Sequence, residues 1–143
     1  MHLPLTALTM TQVHTVSPDA PLDVAVQTLS RQKLDMVEVV EDGKLVGVLS
    51  VRDIAQRVGS DYRAKLQQPV RQFMTSKVES LPPEAPITFA FNRMDIGGYR
   101  HMPVVQDDRI MGVVSSRDLL AYLMKHSRET VATEGVTTSH GVR

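Results

Sequence analysis

The chain aligns with itself at a constant shift of 65 residues, without a gap, from Val13 to Val58, and 13 of those 46 positions are identical. A repeat of this kind constrains the fold before any other property does. Two similar units of roughly 50 residues, each too small to be comfortably stable alone, must pack on each other. The match runs through Pro18/Pro83, Ala20/Ala85, Pro21/Pro86, Ala25/Ala90, Val39-Val40/Val104-Val105 and Asp42/Asp107. It closes on one stretch written twice, Gly47-Val48-Leu49-Ser50-Val51-Arg52-Asp53 and Gly112-Val113-Val114-Ser115-Ser116-Arg117-Asp118.

Each repeat opens with a short extended piece, residues 13–16 or 78–81, followed by a proline-rich turn over 17–21 or 82–86. Apolar residues then recur on one face of a 3.6-residue period, Leu22, Ala25, Val26, Leu29 and Ile87, Ala90, Phe91, Met94, which predicts a core-facing helix. Two strands follow, 36–40 with 45–49 and 102–105 with 110–114. Asp42-Gly43 is a strong hairpin signal, and Asp108 enters the left-handed region less readily than Gly43. A second helix is marked by Val51, Ile54, Ala55, Val58 and by Ser116, Leu119, Leu120, Leu123. Each repeat is therefore strand–helix–strand–strand–helix, and the fold class is α/β. The expected divisions are a first repeat over 5–59, a polar connector over 60–73 with a short helical piece near 62–66 interrupted by Pro69, and a second repeat over 74–126. Residues 127–143, rich in threonine, serine and small side chains without a period, read as a mobile tail.

The duplicated stretch is a strand running into a helix. Glycine at the strand end allows something to approach the backbone, and the helix N-terminus beyond it offers unpaired N–H groups to an anion. Ser50 and Ser115 can cap the helix or bond a phosphate, and Asp53 and Asp118 can hold ribose hydroxyls. Ser-x-x-Asp is also a capping box that merely satisfies backbone donors. Arg52 and Arg117 favour the ligand reading: a cap does not need them, and a first helical turn prefers acids.

Composition removes several functions. Sixteen basic and sixteen acidic residues cancel, and aromatics are only 4%, which argues against nucleic acid and an anionic membrane surface. No cysteine is present, so disulfides, thiolate catalysis and cysteine-held zinc are excluded. The start lacks a basic flank with an apolar run, and no run approaches membrane-spanning length, so a soluble cytoplasmic protein is expected. His2, His14, His101, His126 and His140 show no paired metal spacing, and no nucleophile–histidine–acid order or Walker loop stands out. Gly97-Gly98 reads as a helix end, and Met94, Met102, Met111 and Met124 as packing.

Paired strand–helix–strand–strand–helix units carrying Pro-x-Ala-Pro-Leu/Ile, His101-Met102-Pro103-Val104-Val105 and Gly-Val-x-Ser-x-Arg-Asp resemble a tandem CBS (cystathionine-beta-synthase) domain pair, or Bateman module, over about residues 5–125. The resemblance implies two βαββα repeats packed with pseudo-twofold symmetry, and two such pairs in a disc-shaped homodimer. It implies clefts for adenosine-containing ligands: AMP, ADP, ATP or S-adenosylmethionine, less often dinucleotides. Carried over, Asp53 and Asp118 are ribose-binding acids, Ser50 and Ser115 their neighbouring hydroxyls, and Arg52 and Arg117 phosphate contacts. Thr15 and Ser80 align with a cleft-lining hydroxyl, and Arg100, His101, Met102 and Pro103 with a segment contacting adenine and phosphate. No metal is expected beyond magnesium carried by the nucleotide, and no catalysis. In the first repeat, residues 33–38 place Asp35 and Glu38 where the second has Arg100 and Pro103. Acids there repel phosphate, so the two sites should be unequal, with the one centred on Arg100, His101 and Asp118 the better. The expected role is a nucleotide sensor acting on a partner protein through dimer shape. The alternative is a constitutive dimerisation scaffold with degenerate clefts.

Overall fold

The structure, a computed structural model, describes residues 3–134, with side chains through residue 127. The first repeat comprises β1 (Thr15–Val16), α1 (Leu22–Gln32), β2 (Met36–Glu41), β3 (Lys44–Ser50) and α2 (Val51–Arg57). A short α3 (Tyr62–Lys65) follows in the connector. The second repeat supplies α4 (Ile87–Gly97), β4 (His101–Gln106), β5 (Arg109–Ser115) and α5 (Ser116–Glu134). Its opening strand shrinks to one parallel bridge, Leu81 with Val104, the counterpart of Val16 with Val39.

The strands form one five-stranded sheet in the order β1-β2-β3-β5-β4. At the join between the halves Lys44 pairs with Arg109, and Leu45 N–H donates to the Asp108 carbonyl at 3.0 Å. Both hairpins turn on two left-handed residues, Asp42-Gly43 and Asp107-Asp108, so Asp108 accepts at φ 65° what Gly43 adopts at 80°. The short polar side chain of aspartate tolerates this region better than most. Lys33 (φ 55°) and Gly98 (φ 71°) close α1 and α4 in the left-handed form. Bulges fall at equivalent positions, Val39/Val40 and Val104/Val105.

Two apolar cores result, and neither half completes its own from its repeat alone. In the first, Leu22, Ala25, Val37, Val39 and Leu49 are joined by Val70 and Phe73 of the connector. In the second, Ile87, Ala90, Met102, Val104 and Leu119 are joined by Leu5 and Leu8 from the chain's beginning. The stretch around 66–75 is thus structural as well as connecting. Leu22 N–H donates to the Gln68 carbonyl at 2.8 Å, and Val70 N–H to Ala20 at 2.8 Å. Arg57 clasps the same stretch through the Phe73 and Met74 carbonyls at 2.7 and 2.6 Å. At the other end Leu5 N–H donates to Ala85 and Ile87 N–H to Leu3, both at 2.9 Å.

The tail expected from residue 127 begins as helix, because α5 continues to Glu134. Extending a formed helix costs little per residue, even through serine and threonine. Residues 135–143 of that expected tail lie outside the described residues.

The glycines of the duplicated stretch admit the chain itself rather than a ligand. A Cβ on Gly47 would stand 2.8 Å from both Met74 Sδ and the Thr75 carbonyl oxygen, and one on Gly112 would stand 2.5 Å from Met10 Sδ. Residue 75 pairs with Val48 in both directions, at 3.0 and 2.8 Å, so the backbone cannot easily retreat. Gly47→Ala should therefore destabilise the protein by about 1–3 kcal/mol in denaturant unfolding, through overpacking. Wild-type stability would show that the 48–75 pairing yields freely.

Candidate functional site

The two copies of Ser-x-x-Asp begin alike. Asp53 N–H donates to Ser50 Oγ at 3.0 Å while Ser50 N–H donates to Asp53 Oδ2 at 2.9 Å. Asp118 N–H and Ser115 N–H make the same reciprocal pair at 3.0 and 2.9 Å. Both motifs therefore are capping boxes, as Ser-x-x-Asp alone allows. What separates them is the rest of each carboxylate.

Asp53 is buried, and both of its oxygens are engaged. Thr75 Oγ1 donates to Oδ1 at 3.0 Å, with Arg57 at 3.8 Å, and Ser50 Oγ adds a second bond to Oδ2. Asp118 is half-buried and takes Thr11 Oγ1 at 2.9 Å on Oδ2, the oxygen that already caps the helix. Among the described residues nothing bonds its Oδ1. The two threonines were missed in the sequence. Met10-Thr11 and Met74-Thr75 repeat at a spacing of 64, one short of the main register, so a gapless alignment beginning at Val13 passes over them.

Beside Thr11 opens a cleft of about 370 Å³ lined by Asp35, Arg100, His101, Ser115, Ser116 and Arg117. The local backbone builds it: Ser116 N–H donates to the Arg100 carbonyl at 2.9 Å, which brings the start of α5 against the entry to β4. Arg100 and Arg117 are exposed, so their guanidinium groups can turn onto a bound group. Two arginines, a histidine and a helix N-terminus border the cleft, a combination suited to an anion, and the volume is that of a small-ligand pocket. Asp35 crosses from the first repeat into the same cleft, the one acid there.

Behind it a smaller chamber shares Thr11, Asp35 and His101 and adds His14 and Glu38. Glu38 is only 3% exposed, and burial pushes its carboxyl from 4.5 up to about 7, opposed in part by a hydrogen bond from its own backbone. Its Oε2 is buried without a hydrogen-bond partner.

The expected site residues are thus only partly brought together. Arg100, His101, Ser115 and Arg117 share the cleft. Asp118 lies on the far side of Thr11 and faces a neighbouring cavity of about 530 Å³ between the N-terminal segment and α5, with Thr9, Tyr122 and Lys125. Met102 and Pro103 are buried in β4, where Met102 packs in the second core. Ser50 and Asp53 are committed to the cap of α2, and Arg52 is exposed on its first turn. Thr15 is exposed on β1 opposite Glu38, and Ser80 lines a separate cavity of about 190 Å³ with Ser76 and Asp108. Among the described residues no group of three or more histidines and acids is placed to hold a metal, and no helix is long and apolar enough to cross a membrane.

Two βαββα units sharing a sheet, with a cleft at the start of the last helix, define a tandem-repeat α/β module of the Bateman type. The chain belongs to the CBS domain family, whose sequence profile matches residues 5–60 and 70–125. It is 32% identical over 130 residues to the CBS domain-containing protein YhcV of Bacillus subtilis, covering 91% of each chain. Among solved structures it resembles the CBS-domain containing protein ATU1752 from Agrobacterium tumefaciens, with 31% identity, a TM-score of 0.68, and coverage of 78% of this chain and 89% of that one. It shares its fold with CBSX2, a structure determined in complex with AMP, at a TM-score of 0.74 and 20% identity, over 86% of this chain and 97% of that one.

Proposed function

We propose that this protein is an adenine-nucleotide sensor with one principal site, formed where Arg100, His101 and Arg117 meet the start of α5. The observation that carries this reading is the asymmetry of the two acids. Both oxygens of Asp53 already accept hydrogen bonds within the protein, whereas Asp118 keeps Oδ1 and lines the cavity that neighbours the cationic cleft. The arginines take the phosphate, the α5 N-terminus supplements them, and Asp118 accepts a ribose hydroxyl. AMP in the related CBSX2 structure supports this ligand class.

The protein does no chemistry of its own; occupancy biases how its two halves sit, and a partner protein reads the result. Exposed Phe89 and Ile96 on α4, with Leu120 and Met124 on α5, offer an apolar face for a second copy. A homodimer would carry the signal further.

Thermal unfolding against AMP, ADP, ATP, S-adenosylmethionine and NAD, with and without magnesium, tests the reading. A single-site ligand at a hundredfold excess over its dissociation constant adds roughly 2.7 kcal/mol, a rise of several degrees for a chain of this size. No rise with any of them, in folded protein, would favour a constitutive dimerisation scaffold instead. In calorimetry, Arg117→Ala and Asp118→Ala should each weaken binding by about 1–3 kcal/mol, the scale of a charge-assisted hydrogen bond. Asp53→Ala should leave affinity intact and lower stability instead. Wild-type affinity in both second-repeat variants would sink the site assignment.

A further inference from the structure

Glu38 has no role in the contacts described so far, and its environment is costly. Its counterpart in the second repeat is Pro103, which carries no polar side chain atom, so the fold does not require an acid at this position of the strand. The residue is nonetheless 3% exposed, with Oε2 unpartnered. Leaving a buried acceptor unsatisfied costs roughly 1–3 kcal/mol, and more when it is charged. The chamber in front of it holds about 40 Å³, room for one small polar group. That chamber adjoins the cationic cleft through Thr11, Asp35 and His101. A ligand anchored by its phosphate on Arg100 and Arg117 would thus have its other end directed toward a carboxylate.

We infer that Glu38 is a specificity-determining residue that reads the base, its Oε2 accepting a hydrogen bond from an amino group inserted into the chamber. The site then takes 6-aminopurine nucleotides and rejects 6-oxopurine ones. Above about pH 7, where the Glu38 carboxyl is ionised, a carbonyl in the same place would set acceptor against acceptor and leave Glu38 unsatisfied, and a buried polar group left unpaired is what makes such discrimination large. The amino group also supplies the donor that the protein itself withholds from Oε2. His14, Asp35 and His101 border the chamber and complete its polar wall.

This inference rests on the nucleotide reading above, and its test separates the two. Calorimetry of the full chain at pH 8, with AMP and with inosine monophosphate, should show AMP bound roughly 10–100-fold more tightly. In Glu38→Gln, whose amide can present either oxygen or N–H, the preference should shrink to within about threefold. Glu38→Leu, of similar volume, should lose AMP affinity selectively. In the wild type, AMP should also lower the titration midpoint of the Glu38 carboxyl followed by carbon NMR, because a hydrogen bond to the charged form favours it. AMP binding that depends on Arg117 but shows no preference over inosine monophosphate, or the same preference in Glu38→Gln, would overturn this inference alone and leave the nucleotide site standing. Binding of neither nucleotide would overturn both.

Discussion

Leu5→Ala is expected to destabilise the protein by about 2–5 kcal/mol, the range for truncating a fully buried leucine. The size of the effect follows from where the side chain ends up. Leu5 is completely buried, in the core of the second repeat, although more than 60 residues separate it from that repeat's first core residues. Its backbone N–H is held by the Ala85 carbonyl at 2.9 Å, so the segment cannot easily slide to refill the hole. Denaturant unfolding would measure the loss, and amide hydrogen exchange would locate it. Protection should fall first in α4, β4 and β5, while α1 and β2 keep theirs. Loss confined to the first repeat would contradict the exchange of closing segments between halves.

Stability should fall by about 3 kcal/mol as pH rises from about 4.5 to about 8, through Glu38 alone. The sign follows from its raised carboxyl. Below 4.5 the residue is protonated in both the folded and the unfolded chain, and it contributes no pH dependence. Between 4.5 and about 7 the folded protein keeps the proton that the unfolded chain has released, so each step up in pH favours unfolding. Above about 7 both states are ionised, and the full cost of the buried charge has been incurred. Glu38→Gln should flatten this fall and be the more stable protein at pH 8. Urea unfolding of both proteins across the range checks it, because the difference between the two curves isolates residue 38 from every group the proteins share. Parallel curves would show that Glu38 is solvated or paired in solution.

The two acids that look identical in the duplicated stretch divide their work for a reason invisible in that stretch. Asp53 meets Thr75, Arg57 and the Ser50 hydroxyl, whereas among the described residues Asp118 meets only Thr11 beyond its cap. Arg57 is matched in the second repeat by Tyr122, which brings no charge and whose hydroxyl is buried without a partner. The two acids are therefore set apart by their hydrogen-bond partners, not by the acids at 35 and 38. Asp35 lines the cleft that holds Arg100, His101 and Arg117.

What the sequence determined by itself was everything carried by short-range pattern. The helical faces from Leu22 and Ile87, the hairpins on Asp42 and Asp107 and the strand-to-helix passage at Ser50 and Ser115, each written twice, all depend on neighbours within a few positions. Period and turn chemistry report such neighbours directly. Tertiary structure alone decided which distant segment closes each core, what the glycines at 47 and 112 make room for, and which aspartate retains a free oxygen. Each of these depends on contacts between segments distant in the chain, 107 residues apart for Thr11 with Asp118 and 22 for Thr75 with Asp53. Leu5, Met10 and Phe73 look unremarkable as a string; their importance comes from the volume and hydrogen-bonding groups that the opposite half presents to them.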